Sequence, residues 1–310
     1  AFDTVLGHSR GLQQVIQLAR KVAVTDVPVL LTGETGTGKE VFAQAIHNGS
    51  TRAKQPFVAI NCSAFSKELL ESEIFGHKAG AFTGALKDKK GLFEEANHGT
   101  IFLDEIGEMA YGLQAKLLRV LETGEYIKVG DTKPTKIDVR IVSATNRNLK
   151  EEIANSNFRE DLYFRLSVFH LHLPPLRERR EDIPELAAAF LKFFAAKMGK
   201  QVKGFAADCQ AWMQSYAWPG NVRELRNVIE RALIICDDYI TLDDMPLDFR
   251  SSTLSGSAAD GDDFELAEAE HRHIQRVLQY TKGNKAEAAR LLKIGLTTLY
   301  RKIEEYGINI

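Results

Sequence analysis

Gly33-Glu34-Thr35-Gly36-Thr37-Gly38-Lys39-Glu40 has the glycine-rich, lysine-tipped pattern of a loop that wraps phosphates. Glycines let backbone N–H groups close on the anion. A helix opening after the loop adds its N-terminal dipole, and Lys39 reaches the β- and γ-phosphates. The residue after such a lysine is ordinarily Ser or Thr, which holds Mg²⁺; here it is Glu40. Its carboxylate can approach the metal directly or through water, or turn away from a triphosphate of like charge. A second motif, GTIFLDE (99–105), ends an apolar run in two acids. Asp104 is suited to holding Mg²⁺ and Glu105 to polarising an attacking water. The two motifs predict ATP and Mg²⁺ as ligands, ATP hydrolysis as the reaction, and Asp104 and Glu40 as the candidate metal ligands.

Further polar groups belong to the same constellation. SATNRNL (143–149) places Thr145 and Asn146 where either can sense the γ-phosphate, or simply cap a strand-to-turn junction. Asn61 ends PFVAIN at the presumed C-terminal edge of a sheet, where ligands gather in open α/β folds. FREDLYFRL (158–166) flanks an aromatic-rich turn with Arg159 and Arg165. One reading is a surface salt-bridge cluster with Glu160 and Asp161. The other is a pair of fingers that stabilise transition-state charge in a neighbouring subunit, which requires a ring. Arg223, in WPGNVREL, starts a lid helix and can reach phosphates of its own subunit.

Between the two phosphate motifs lies Gly80-Ala81-Phe82-Thr83-Gly84-Ala85. Gly80 and Gly84 permit sharp bends, and an aromatic in a polar, mobile setting marks a contact surface. The alternative is a buried Phe82 in an ordinary hairpin.

The elements that must position these residues follow from apolar spacing. Segments 27–33, 56–62, 99–106 and 138–146 read as buried strands, and 12–23, 39–50 and 111–124 as amphipathic helices. That alternation predicts an α/β subdomain over 1–173, a parallel sheet covered on both faces. Past Pro174-Pro175, segments 180–198, 206–216 and 220–236 read as helices of a small lid subdomain, 174–247, with Pro184 in a first turn and Asn221 at a helix start. Residues 248–263, rich in Ser, Gly and Asp, read as a flexible linker.

The final segment, 264–310, reads as a small all-α domain. KAEAARLLK and LTTLYRKIEEY, joined at Ile294-Gly295, predict a helix-turn-helix. Ala288, Leu291 and Leu292 are expected to face inward, with Leu296, Leu299 and Ile303 of the second helix. Thr297, Thr298, Arg301 and Lys302 are expected outward, as a face suited to the major groove of double-stranded DNA. The helix before it, 265–283, carries apolar residues able to pair two subunits. A helical hairpin used only for dimerisation is the alternative.

Composition is that of an ordinary soluble chain: 310 residues, 44% hydrophobic, 26% charged, net charge −2. DNA contact must therefore be local, with tight binding only through dimers. Cys62, Cys209 and Cys236 form no CxxC pair, so neither a disulfide framework nor a zinc site is expected. No apolar run approaches the ~20 residues of a membrane span. The N-terminus lacks a signal-peptide pattern. A cytoplasmic protein is expected. The first residue is Ala and begins at the edge of the α/β region, which suggests a piece of a longer protein.

The ordered set GETGTGKE, ESEIFGHKAGAFTGA, GTIFLDEIGEM, FREDLYFRL, PPLRERREDIP and WPGNVREL resembles the AAA+ domain of bacterial NtrC-like enhancer-binding proteins, the activators of sigma-54 RNA polymerase, over roughly residues 4–247. The glutamate after the phosphate-loop lysine, Glu40, is common in that family. The last segment resembles the Fis-type helix-turn-helix that ends many of them. The resemblance implies ATP-binding and hydrolysis roles for Lys39, Asp104 and Glu105, and for Asn61 a relay paired with Glu105. It implies fingers at Arg159 and Arg165, a sensor at Arg223 and a sigma-54 contact at Phe82 and Thr83. It further implies hexamers or heptamers that bind enhancer DNA and act on sigma-54 RNA polymerase holoenzyme. Two other classes compete: a replication-initiator or chaperone-type AAA+ remodeller, opposed by the 80–85 hexapeptide, and a nucleotide-gated repressor with negligible turnover, opposed by Asp104 and Glu105.

Overall fold

The computed structural model describes residues 1–246, 266–281 and 283–308, and the chain divides into two compact units, Ala1–Arg250 and Ser251–Ile310. In the first unit, β1 (Val29–Thr32), β2 (Phe57–Asn61), β3 (Thr100–Asp104), β6 (Arg140–Thr145) and β7 (Phe169–His172) form a parallel sheet in the order β2-β3-β6-β1-β7. Central strands β3 and β6 are buried on both faces, as the continuous apolar runs predicted.

Helices cover both faces. On one, α1 (Arg10–Ala23) and α2 (Lys39–Asn48) bury Leu12, Ile16, Phe42 and Ile46 against Val29, Leu31 and Val142. On the other lie α3 (Lys67–Phe75), α4 (Leu92–Glu95), α5 (Tyr111–Thr123), α6 (Leu149–Ala154) and α7 (Glu160–Leu166), packed through Phe75, Phe93, Leu117, Leu162 and Leu166. Arg140, buried in β6, donates to the carbonyls of Ala23 (2.7 Å) and Val22 (2.8 Å). Its guanidinium thereby satisfies the open C-terminal end of α1.

Two sequence expectations change here. The stretch between Arg159 and Arg165 is the helix α7 rather than a turn: Leu162 and Leu166, four residues apart, both bury in the core. Residues 125–136, for which no element is expected, form a hairpin of β4 (Glu125–Ile127) and β5 (Pro134–Lys136).

The lid comprises α8 (Ile183–Met198), α9 (Ala207–Ser215) and α10 (Asn221–Ile235), with a small β8 (Gly204–Phe205) and β9 (Tyr239–Ile240) ladder. Its core surrounds Trp218, Phe194, Leu225 and Ile229. The segment expected as one helix from 180 starts with a 3₁₀ turn, Arg180–Asp182, and Pro184 falls in the first turn of α8. Asp182 ties the lid to the N-terminal segment, accepting from the Ser9 backbone (2.7 Å) and hydroxyl (2.6 Å).

The second unit contains α11 (Leu266–Tyr280), α12 (Lys285–Leu292) and α13 (Leu296–Glu305) around Ile274, Leu278, Ala288, Ala289 and Leu299. Leu291 and Leu296, expected inward, are exposed. Ala289 takes the buried place, because the helix phase turns it toward α11 and carries Leu291 past it. The predicted linker, 248–263, lies outside the described residues.

Candidate functional site

The phosphate loop joins β1 to α2. Gly33, Gly36 and Gly38 all have positive φ (153°, 81° and 103°), which side chains rarely adopt. Lys39 opens α2 and is buried, its ammonium donating to the carbonyls of Gly33 (2.7 Å) and Glu34 (3.0 Å). Burial pushes the Lys39 ammonium below its ordinary range, against the opposing pull of Glu105 and Asp104. A polyphosphate brought beside it relieves the same penalty. Thr37 is buried and its hydroxyl donates to the Glu34 carbonyl at 2.8 Å, pinning the loop.

Asp104 ends β3 in register with Asn61 of β2. Glu105 follows at φ 52°, ψ 47°, a left-handed conformation that is costly for a residue other than glycine and clusters at functional sites. Its backbone N–H donates to Asp104 Oδ1 at 2.9 Å. Burial, and then the charge of Asp104, hold the Glu105 carboxyl above the usual carboxylate range. Asn61 Oδ1 accepts from the Ser63 N–H (2.9 Å) and hydroxyl (2.6 Å), so Asn61 is engaged with its own turn and not with Glu105.

A cleft of about 380 Å³ brings Gly36, Lys39, Glu40, Asp104, Glu105 and Arg223 together. Glu40 is exposed at its rim. Arg223 belongs to α10, and its N–H donates to the Gly36 carbonyl at 3.2 Å. Asn146 lies at the tip of β6 and donates to the Thr35 hydroxyl at 3.0 Å. Thr145, the other candidate at that tip, is buried and accepts the Arg147 N–H at 3.0 Å, so it is the turn cap.

The loop and acids suit a nucleoside triphosphate. A Cβ at Gly33 would lie 2.9 Å from the Leu173 carbonyl, so this backbone needs glycine, and the buried Lys39 ammonium donates to two carbonyls. No cluster of three metal-ligating side chains occurs among the described residues. Mg²⁺ does not require one, since it is commonly held by one or two carboxylates with phosphates and water. Asp104 meets that requirement. A neighbouring pocket, marked by no motif, is lined by Val5, Leu6, Val41, Phe190 and Arg179. Buried Arg179 donates to the Thr37 carbonyl at 3.1 Å, and its Nε has no partner among the described residues. The pocket's apolar walls beside the phosphate loop suit a flat base.

Neither candidate finger lines this cleft. Arg159 caps α7 and forms a two-pronged pair with Asp161 (3.0 and 2.8 Å), 5.6 Å over the Tyr111 ring. Gln114 holds its backbone: Oε1 accepts the Arg159 N–H at 2.8 Å while Nε2 donates to Met109 and Asn157 carbonyls. Arg165 is exposed and reaches Glu122 only at 3.9 Å.

The 80–85 loop folds on itself. Gly80 N–H donates to the Ala85 carbonyl (2.7 Å) and Ala85 N–H to the Phe82 carbonyl (3.0 Å), with Gly80 and Gly84 at φ 82° and 100°. Ala85 is buried, Ala81 half-buried, and Phe82 and Thr83 exposed. Paired backbone bonds between His77 and Lys89 close the base. The His77 ring meets Phe82 edge-on at 4.9 Å, and its Nδ1 lies 2.7 Å from the Ser72 hydroxyl.

In the second unit Thr297 and Arg301 are exposed, as expected of an outward face, whereas Thr298 is half-buried. Lys302 departs from expectation. Its ammonium lies against Glu270 (2.7 Å) and the Tyr306 hydroxyl (3.4 Å), because its place three residues after the buried Leu299 sets it beside the inward stripe, toward α11.

Known proteins resemble the chain along nearly its whole length. The chain matches the sigma-54 interaction domain family over residues 5–172, the AAA+ ATPase lid domain over 177–261, and the bacterial regulatory protein, Fis family, over 265–306. It is 47% identical over 307 residues to the alginate biosynthesis transcriptional regulatory protein AlgB of Pseudomonas aeruginosa, covering 99% of this chain and 68% of that one. It is 41% identical over 330 residues to the DNA-binding transcriptional regulator NtrC of Escherichia coli K12, covering 98% and 70%. A crystal structure of NtrX from Brucella abortus in complex with ATP superposes with a TM-score of 0.76 at 36% identity, covering 98% of this chain and 69% of that one. The chain therefore belongs to the NtrC-like sigma-54-dependent transcriptional activators, with an AAA+ ATPase domain followed by a Fis-type DNA-binding helix-turn-helix.

Proposed function

We propose that this chain hydrolyses ATP to drive its 80–85 loop against sigma-54 RNA polymerase holoenzyme, opening a promoter from an enhancer-bound position. The observation that carries this is the contrast within one unit: Lys39, Asp104, Glu105 and Arg223 meet in one cleft, while Phe82 and Thr83 stand exposed on a self-contained loop. Lys39 and the loop N–H groups hold the phosphates, Asp104 holds Mg²⁺, and Glu105 orients and deprotonates the attacking water. Asn146, bonded to Thr35, reports on the γ-phosphate from the next strand tip. The metal supplies charge neutralisation between the phosphates when bound.

Arg159 and Arg165 act in a neighbouring subunit's cleft, since neither lines its own. That arrangement is heterologous and closes as a ring of six or seven copies. Glu40, at the cleft rim, would be a second candidate to hold that metal. Asn61 leaves Ser63 for Glu105 in one nucleotide state and so relays the state to the loop. Thr297, Thr298 and Arg301 read double-stranded enhancer DNA, and Lys302 contributes only after release from Glu270. Dimers form through the helix-turn-helix domain. No helix among the described residues is long and apolar enough to cross a membrane, and we place the protein in the cytoplasm.

The test supplies sigma-54 holoenzyme, a promoter with an upstream site, and ATP. Thr83→Ala is expected to abolish open complexes while most ATPase activity survives. Normal opening by that variant would sink the loop assignment.

A further inference from the structure

The turn that delivers Arg223 is tied to the phosphate loop at more points than Arg223 itself supplies. Asn221, the first residue of α10, is completely buried with φ 54°, a conformation that asparagine tolerates better than most residues. Its side chain joins three segments. Oδ1 accepts the Leu176 N–H at 2.7 Å, where the chain enters the lid. Nδ2 donates to the Thr35 carbonyl and to Glu34 Oε2, both at 3.1 Å, and lies 3.4 Å from the Pro219 carbonyl.

The surroundings reinforce the join. Arg177 clamps Glu34 with two bonds, 2.7 and 2.6 Å. A Cβ on Gly36 would fall 2.2 Å from the Gly220 carbonyl oxygen, so the turn and the loop fit only with glycine there. Arg177, and then Asn221, hold the Glu34 carboxyl below its ordinary range. The two Nδ2 bonds to Thr35 and Glu34 run to the phosphate loop, while the Leu176 bond stays within the lid, whose core contains Leu176 with Trp218, Leu225 and Ile229.

We propose that Asn221 is a positioning residue for ATP hydrolysis: by bonding Thr35 and Glu34 to the start of α10, it fixes Arg223 over the cleft and makes lid and phosphate loop move as one. The inference rests on the reading of Arg223 as the lid's phosphate-contacting group. It implies that losing Asn221 and losing Arg223 are the same loss to catalysis.

The experiment is a double-mutant cycle on the full chain, with steady-state kcat and KM for ATP and Tm for each variant. Asn221→Asp keeps the acceptor for Leu176 and tolerates the backbone, but removes the donor to Thr35 and Glu34. Asn221→Gly keeps the backbone conformation and removes the whole side chain; should it fail to fold, the Asp variant decides. Each is expected to lower kcat about tenfold or more by misplacing a catalytic group, with KM little changed. Combined with Arg223→Ala, neither is expected to slow turnover beyond Arg223→Ala alone. Losses that multiply would overturn the inference, as would unchanged kcat in Asn221→Asp. Unchanged kcat in Arg223→Ala itself would overturn it by a different route, by removing the role of Arg223.

Discussion

The nucleotide cleft and the 80–85 loop share one unit but are built on opposite rules. In the cleft Lys39 is held by two carbonyls, Asn146 by Thr35, and Glu105 by a left-handed backbone beside Asp104. In the loop Phe82 and Thr83, the proposed contact residues, are left exposed, and the Phe82 ring meets His77 edge-on. Chemistry at the phosphates needs donors fixed before reaction. A surface that must meet a partner in one nucleotide state needs low local stability. The difference teaches that stiffness here follows task, not position in the sequence.

The largest expected effect tests whether the cleft is complete within one chain. If Arg159 works in trans, Arg159→Ala should lose about 10³-fold or more in kcat. The alternative, that its pair with Asp161 is only structural, predicts a loss in Tm with turnover nearly intact. Mixing Arg159→Ala with Lys39→Ala subunits separates the two. Partial recovery of ATPase at intermediate ratios is expected, because each copy supplies what the other lacks. No recovery at any ratio would return Arg159 to the surface and weaken the contrast, since the cleft would then need no neighbour.

Much of the cleft could be read from residues alone, because phosphate chemistry imposes local spacing. Lys39, Asp104 and Glu105 announce themselves within short motifs. What could not be read is long-range. Gln114 and Asn221 are ordinary amides until the fold brings Arg159, Leu176 and Thr35 to them. Thr145 and Asn146 are adjacent at one strand tip, and only the alternation of β6 turns one inward and the other toward Thr35. β7 gave little sign because His170 and His172 alternate with apolar residues on an edge strand. In the helix-turn-helix, two helices of eight and ten residues leave the phase of an i, i+3 pattern ambiguous, hence the exposed Leu291 and Leu296 and the inward Lys302.

The next effect in size concerns Glu105. As a general base it must be ionised, and its carboxyl is held above the usual range by burial and then by Asp104. The acid limb of the kcat profile should therefore lie above the ordinary ~4.3 of glutamate. Glu105→Gln should lower kcat by about 10²–10⁴ and flatten that limb. Stability runs the other way. A carboxyl whose folded pKa is raised favours the folded state at acid pH, and that contribution is lost as pH rises through the raised value. Glu105→Gln should then melt at a higher temperature than the parent at neutral pH. A lower melting temperature would show that Glu105 is paid for by contacts its charge makes, and that the cleft is less pre-strained than the loop contrast requires.

The smallest effect lies in the loop. The edge-on contact of His77 with Phe82 is of a kind worth about 0.5–1.5 kcal/mol. Its removal should raise the population of loops with Phe82 released by roughly 2- to 10-fold. Chymotrypsin, which cuts after exposed aromatics, can read this under native conditions as the rate of cleavage following Phe82. His77→Ala should speed that cut by the same factor, while cleavage elsewhere rises only as global stability falls. The comparison site matters because His77 also bonds Ser72 and pairs its backbone with Lys89, so some general loss of stability is expected. A uniform rise at all sites would mean that His77 supports the fold and not the loop. A rise confined to Phe82 would make the ring contact the restraint, and would place the loop's freedom under the control of one side chain where the cleft uses many.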